Sequence, residues 1–477
     1  MSRPHAAVRR TLAAALLAPL LTALGPVSEV ASVPRRPARA PTASRAWEVP
    51  PLAAPAESPS TSGPSTGPSG RPAESTHRLQ TPVAPQRAQG QPSGLTTPLP
   101  TQALGPTAPA PQPKPLRHPG ALVSRAQLDT VRKQVKAGKE PWASAFDGMR
   151  ASRYASLWYY PQPQTEVSCP SGNRPGRGCQ QEREDAIAAY THALMWTVTR
   201  DEKYAKKALE IMDLWSATLK NHTEANSGLQ SAWAGSMWAR AAEIMRYVYK
   251  GWSADGITRF DRFLREIYLP QVAGGSLGRN GNWDLVMADA AASIGVFLDD
   301  RSVLERAVAR VRNRVPAYFY VHGDGPRPKA PPGALLDAPA ELTRYWFGQR
   351  RLVDGLAQET CRNFEHVGYA LAATAHVAET AHHQGIDLWR EIGPRLRPAL
   401  ELHADYQLRD AETAPDWLCG GHITPTLGPD LEVALNHLQN RMGGRLPKAR
   451  RLAGEQRPAG TDNLFVAWET LTHGENP

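Results

Sequence analysis

From His118 onward the chain repeats one pattern: apolar residues return every three to four positions until a Pro/Gly break stops them. Glu184–Trp196, Glu202–Leu219, Leu229–Tyr249 and Ile257–Tyr268 read as successive amphipathic helices, and Asp284–Leu298, Val303–Val315, Thr360–His383 and Leu396–Gln407 continue the series. The proline- and glycine-rich run from His322 to Ala340 punctuates it, and strand-like alternation is scarce. Many helices in one long segment, with no linker strong enough to divide it, predict an all-α fold. The expected arrangement is an (α/α) barrel or toroid over residues 117–477, in which helix pairs circle a central cleft.

What precedes that segment cannot fold in the same way. Of the 44 prolines, 24 lie in the first 120 residues, among Ser, Thr, Ala, Gln and Gly. Residues 34–116 therefore read as a disordered linker that buries too little apolar surface to offset chain entropy. Ahead of it, Arg3, Arg9 and Arg10 precede the short apolar run Thr11–Leu24, which fits a secretory signal peptide over residues 1–33. The run is too short to span a membrane, and no later stretch is long and apolar enough. A secreted protein with no membrane contact after signal removal, and a monomer, is the expectation. The first 120 residues carry 12 basic and 4 acidic residues, +8 of the formal +10. The rest is nearly neutral, which argues against a nucleic-acid partner. Four cysteines in an exported chain permit disulfides. Cys169 and Cys179 flank a Gly/Pro loop that a bridge would tie down, leaving Cys361 and Cys419 as a second pair or as free thiols.

The stretch ETCRNFEHVGYA, residues 359–370, concentrates reactive groups. On a helix Glu359, Arg362, His366 and Tyr369 fall within an arc of about 80°, opposite Phe364, Gly368 and Leu371. Such a stripe is either a solvated face or the wall of a site. Aromatic residues at loops and helix ends (Trp158, Tyr159, Tyr160, Trp233, Trp238, Trp283) and at Tyr318, Tyr320, Tyr345 and Trp346 fit a carbohydrate groove, because sugar faces stack on aromatic rings.

Several stretches resemble the alginate-lyase-type polysaccharide lyases: HPGALVSRAQLDTVRKQVKAGKEPW at the start of the helical segment, NGNWDLVMADAAASIGVF (280–297), GLAQETCRNFEHVGYALAATAHVAETAHHQGIDLW (355–389) and ALNHLQNRMGGRLP (434–447). The resemblance implies an (α/α) toroid and cleavage of uronic-acid polysaccharides by β-elimination. It implies Asn282 and the Arg-x6-Tyr pair Arg362 and Tyr369 as site residues. The chain departs from the pattern at one point: Asn282 is followed by Trp283, where alginate lyases of this fold place a histidine. His366, between Arg362 and Tyr369, is the candidate to supply the missing imidazole, and the departure suggests a diverged branch.

β-Elimination removes the weakly acidic proton at C5 of a uronate and expels the oxygen at C4. The carboxylate must be neutralised, a base must take the proton, and an acid must assist the leaving oxygen. Asn282 suits the first task, with Arg362 either beside it or holding Tyr369 in an ionisable state. His366 and Tyr369 suit the other two, with His366 the preferred base or carboxylate partner and Tyr369 the preferred acid, or also the base in a syn elimination. Trp283, Gln358 and Glu359 are expected substrate contacts, with Gln358 and Glu359 alternatively orienting Arg362. Asn436, His437 and Arg441 form a second polar cluster that is either a substrate contact or a polar helix face. His376 and His383 lack a Cys or acidic partner in a zinc pattern, so no metal is expected, and no nucleotide or other cofactor motif is present. His192 reads as a core histidine. The partner expected is an acidic polysaccharide. The rival readings are a glycoside hydrolase on a similar fold, with Glu359, Asp284 and Asp289 as candidate carboxylates, and a non-catalytic carbohydrate-binding protein.

Overall fold

A computed structural model describes residues 115–477, except 173, 337, 410–413 and 477. The expected signal peptide and nearly all of the Pro-rich linker lie outside the described residues. Helices α1 (Arg125–Lys136) and α2 (Trp142–Ala151) lead into α3 (Cys179–Thr199), α4 (Glu202–Thr218), α5 (Ser227–Glu243), α6 (Ala254–Phe263) and the single turn α7 (Leu269–Val272). Next come α8 (Gly281–Phe297), α9 (Arg301–Arg314), α10 (Pro339–Tyr345), α11 (Phe364–His383) and α12 (Leu388–Leu408). The turn α13 (Glu432–Leu435), α14 (Pro447–Gln456) and α15 (Glu469–His473) complete the series. Two short strands, β1 (Glu166–Ser168) and β2 (Asn221–Thr223), pair in parallel with Val167 opposite His222.

The expected helices differ from these mainly at their ends. Leu229–Tyr249 and Ile257–Tyr268 are each an α-helix that widens into a π-helical turn, at Ile244–Tyr249 and Leu264–Tyr268. The helix expected from Thr360 starts only at Phe364. Asn363 is its N-cap, and the Asn363 side chain accepts the His366 backbone N–H at 3.1 Å.

Two classes of helix make two layers. Every residue of α8 is buried, and α3, α5 and α11 are buried around most of their circumference. Their sequences are rich in alanine, as in ADAAASIGVF and YALAATAHVAETA, so neighbouring backbones can approach closely from every side. Helices α4, α6, α9 and α14 bury one face only and so belong outside. Packing follows a ring: α3 on α5, α5 on α8, α8 on α11, α11 on α13, and α13 on α15, with α15 and α1 returning the ring to α3. Outer helices back the inner ones, α4 on α3, α9 on α8 and α12 on α11. Gly228 lies against Met287 and Gly235 against Ile294, so α5 and α8 run in the same direction. An all-helical (α/α) toroid results. Its inner helices start at one end.

Two disulfides close loops on it. Cys169–Cys179 is the bridge expected from the Gly/Pro loop, and Cys361 pairs with Cys419. The second spans 58 residues, a closure of about 4 kcal/mol in the chain-entropy description. Among the described residues no helix is long and apolar enough to cross a membrane.

Beneath the turn that precedes α11 lies His403 of α12, fully buried. Its Nδ1 donates to the Ala399 carbonyl at 2.8 Å, and its Nε2 accepts from the Thr360 hydroxyl at 3.0 Å. Burial pushes the imidazole down to about 4. The unfolded imidazole takes a proton near pH 6.5 and the folded one does not, so this group makes the protein less stable as pH falls from 6.5 toward 4. We predict that His403→Gln shrinks the loss of unfolding free energy between pH 7 and pH 5 by about 2 kcal/mol. Denaturant titration at the two pH values checks this; an unchanged difference would show that His403 does not titrate as described.

Candidate active site

The first turn of α8 and the turn before α11 lie side by side because their parent helices are adjacent and parallel. Glu359 joins them. Its Oε2 accepts the Asn282 side-chain N–H at 2.6 Å, the Asn282 backbone N–H at 3.3 Å and the Tyr318 hydroxyl at 2.9 Å. Its Oε1 accepts Arg362 Nη1 at 2.7 Å. Glu359 is fully buried, and a carboxylate in such a place needs this full complement of donors. Gln358 acts on the same junction: its Oε1 accepts the Gly281 N–H at 3.0 Å, and its Nε2 donates to the Tyr345 carbonyl at 2.5 Å. Both side chains therefore hold the site's own backbone and donors in place.

Two glycines make the approach possible. A Cβ on Gly281 would lie 2.2 Å from the Tyr318 ring, so only glycine lets that ring pack across the start of α8. A Cβ on Gly368 would meet Asp430 Oδ2 at 2.0 Å, so the Asp430 carboxyl seats directly on the backbone of α11 beside Tyr369.

His366 and Tyr369 project from the first turns of α11, with ring centroids 5.6 Å apart. Asn363 Oδ1 receives both the His366 backbone N–H and, at 2.5 Å, the His366 Nδ1. An amide oxygen can only accept, so Nδ1 carries the proton and the basic lone pair belongs to Nε2. Burial, then the Arg362 charge, pushes this imidazole down to about 2, so it is neutral at ordinary pH. The Tyr369 hydroxyl donates to Glu365 Oε1 at 2.9 Å. Burial first, and then the carboxylates of Glu365, Asp462 and Asp430, hold this phenol above the ordinary tyrosine range. It is a proton carrier at neutral pH. Arg183, in the first turn of α3, is pulled below its ordinary range by burial and feels the Tyr369 phenol from the other side; its Nη1 donates to Gln230 Oε1 of α5 at 2.6 Å. The first turns of four inner helices thus surround this region, and their N-terminal dipoles favour an anion.

The structure brings Asn282, Gln358, Glu359, Arg362, His366 and Tyr369 together. Trp283 follows Asn282 into a largely buried position, 5% exposed, with the Arg279 guanidinium 4.7 Å from its ring centroid. The cluster expected at Asn436, His437 and Arg441 is elsewhere. His437 Nδ1 lies 2.8 Å from Glu379 Oε2, Arg441 Nη1 donates to Glu379 Oε1 at 2.6 Å, and Asn436 donates to the Asn476 carbonyl. Glu379 sits 13 residues beyond His366 on α11, about 20 Å along the axis. These three residues knit α11 to the C-terminal segment. His376 and His383 are also apart in role, one in a core ion network and one near Glu379 and Leu122. Among the described residues no group of three or more His, Cys, Asp or Glu side chains is placed to hold a metal. Most aromatics offered for a groove, including Trp238, Tyr318, Tyr320, Tyr345 and Trp346, are core; Trp158 and Tyr160 are 93% and 83% exposed.

Sequence reasoning missed Asn363, Glu365 and Arg183, and offered Tyr318 only as a groove aromatic, not as a donor to Glu359. Asn363 carried a readable signal, an Asn immediately before a helical period. Glu365 stands four residues before Tyr369 on the same helix, a spacing that was also readable; Tyr318 and Arg183 are far in sequence from the residues they touch.

The sequence model of the alginate lyase family matches residues 153–414. No curated protein sequence matches the chain. Alginate lyase A1-III from Sphingomonas species A1 superposes with a TM-score of 0.54 at 17% identity, over 75% of this chain and 97% of that one. A tyrosine-to-phenylalanine variant of alginate lyase A1-III complexed with a tetrasaccharide gives a TM-score of 0.54 at 18% identity, over 75% and 97% of the two chains. At such identity the superpositions speak for the fold. The family match extends over more than half of the sequence, and on that ground the chain belongs to the alginate lyase family.

Proposed function

We propose that this polysaccharide lyase is secreted and cleaves uronic-acid polysaccharides, of the alginate/polymannuronate or glucuronan type, by β-elimination to leave unsaturated uronate ends. The observation that carries the reading is the junction of α8 and α11. There an amide (Asn282), a guanidinium (Arg362), a neutral imidazole (His366) and a protonated phenol (Tyr369) share one region.

Asn282 has a second side-chain N–H beyond the one given to Glu359, and Arg362 has further donors beyond the Nη1–H given to Glu359. Both are offered to the substrate carboxylate, the charge that otherwise opposes removal of the C5 proton. A carboxylate beside Arg362 also offsets the positive charge that depresses His366, so the imidazole gains basicity as the substrate arrives. His366 Nε2 takes the C5 proton, the electron pair forms the C4–C5 double bond, and the C4–O4 bond breaks. Tyr369 gives its proton to the departing O4 and is later reprotonated from solvent. The raised pKa of Tyr369 supports the acid role over the base role.

A hydrolase would need two available carboxylates. Glu359 is taken by four donor groups from three residues, Asp284 by Arg314 and the Ser276 N–H, and Asp289 by Arg240 and His376. That full occupation favours the lyase over the hydrolase.

Elimination creates a conjugated double bond and with it new ultraviolet absorbance. We predict such absorbance with alginate, glucuronan or hyaluronan. Tyr369→Phe, His366→Ala and Asn282→Ala each lower turnover at least ~100-fold with the fold retained by circular dichroism. Wild-type-like rates for both Tyr369→Phe and His366→Ala would sink the assignment, and chain shortening without absorbance would restore the hydrolase. Asn363→Ala is a separate test. It removes the cap of α11, at about 1 kcal/mol of stability, and releases the His366 tautomer; turnover falls about tenfold or more while Asn363→Asp, which keeps the acceptor, retains more of it. Equal losses in the two variants would show that Asn363 serves the helix alone.

A further inference from the structure

Behind the first turn of α8 a cavity of about 330 Å³ opens between α9 and the segments around Gly274–Leu277 and Pro331–Pro332. Its size lies within the range of small-molecule sites, about 300–1,000 Å³. Asp284 lines it. Asp284 is two residues beyond Asn282, roughly 200° further around the helix, so the cavity is on the far side of α8 from the Asn282 side chain.

Its electrostatics are one-sided. Arg306, Arg310 and Arg314 recur at four-residue steps along α9 and all line the cavity. Asp284 is the lone acidic residue among those lining it and is engaged by Arg314 Nε at 3.0 Å. Arg310 donates to the carbonyls of Val272 and Ala273, and its Nε lies 3.8 Å from Asp284 Oδ1, so Arg310 and Arg314 share that one carboxylate. Its guanidinium is pulled below its ordinary range by burial and, more weakly, by the charges of Arg314 and Arg306, against the pull of Asp284. Arg306 is exposed, reaches the Ser302 hydroxyl at 3.1 Å, and makes no ion pair among the described residues. Three guanidiniums with one carboxylate among them leave the lining with two positive charges in excess. Beside them the exposed Asn313 offers an amide. The opposite wall is apolar, made by the rings of Pro331 and Pro332 and the half-exposed Leu277.

Guanidinium forks recognise planar carboxylates, an amide serves hydroxyls, and a flat apolar wall suits the C–H face of a pyranose. We propose that this cavity is a second uronate site, which binds one acidic sugar by its carboxylate at Arg306 and Arg310, outside the catalytic cleft. The choice of a sugar acid over other anions rests on the polyuronate reading above; the anionic character of the site does not.

Calorimetric titration of the wild type and of Arg306→Gln with sodium glucuronate, glucose and inorganic phosphate tests it. The variant changes an exposed side chain and leaves the cleft intact. The wild type is expected to bind two glucuronates and the variant one, with affinity at the lost site reduced at least tenfold and no binding of glucose. Arg362→Ala is expected to keep the Arg306-dependent site. Turnover of Arg306→Gln at saturating polyuronate stays within about twofold of wild type. Identical glucuronate isotherms for wild type and Arg306→Gln overturn the site. Phosphate binding as tightly as glucuronate, with both lost in Arg306→Gln, overturns the sugar assignment and leaves a plain anion pocket. Arg306-dependent glucuronate binding in a wild-type protein that eliminates no polyuronate supports the site and counts against the lyase substrate instead.

Discussion

A chain of buried charges holds the inner ring in register. Arg240 of α5 gives Nη2 to both oxygens of Asp289 on α8, at 2.9 and 2.6 Å, and Nη1 to the Phe465 carbonyl at 2.9 Å. His376 of α11 places Nδ1 3.0 Å from Asp289 and Nε2 2.6 Å from Glu469 of α15. Four inner helices meet in this one series. Burial alone would lower the His376 pKa, but the carboxylates of Glu469 and Asp289 raise it to about 9, so the imidazole is charged at neutral pH and donates from both nitrogens. Burying such charges is costly, and removing one member would strand the rest at about 3–5 kcal/mol. What the network gives in return is geometry: alanine-rich helices that pack closely can slide past one another, and a directional ion pair between specific turns stops them.

The candidate site depends on that register. His376 is ten residues beyond His366 on α11, and Asp289 is seven beyond Asn282 on α8. Pinning the two helices at His376 and Asp289 brings Tyr369, seven residues before His376, level with Asn282, and Glu359 closes the gap below through Asn282, Tyr318 and Arg362. The Cys361–Cys419 bridge ties the same turn to the loop at 419–421, and Thr360 is held by His403 from below. A turn without regular structure is thus fixed from several sides, which a site built on donor geometry requires.

The replacement of the expected histidine by Trp283 has a local physical meaning. Trp283 is buried under Arg279 and fills the wall beside Asn282, so the start of α8 supplies an amide and no imidazole. An imidazole stands nearby on α11, at His366, where Asn363 fixes its tautomer. In the proposed elimination the same helix therefore supplies base and acid three residues apart, with the charged Arg362 in the turn before them.

Period and composition alone determined that the chain from His118 onward is all helical, because every inner and outer helix must turn an apolar surface to a neighbour at 3.6-residue spacing. The Gly/Pro loop between Cys169 and Cys179 announced its disulfide, and residues 359–370 announced the cluster of the candidate site, although Glu359 and Arg362 lie in the turn before α11 and not on a shared helical stripe. The same local logic misled at Asn436, His437 and Arg441, whose polar spacing looks like a binding face but serves Glu379, a partner on another helix. Nor could it separate the core aromatic Tyr318 from the exposed Trp158, since both sit in turns between helices. Which polar residue belongs to the candidate site and which meets a buried carboxylate elsewhere is set by contacts between segments tens to hundreds of residues apart. Those contacts exist only once the inner helices have closed their ring, so the tertiary structure alone decided them.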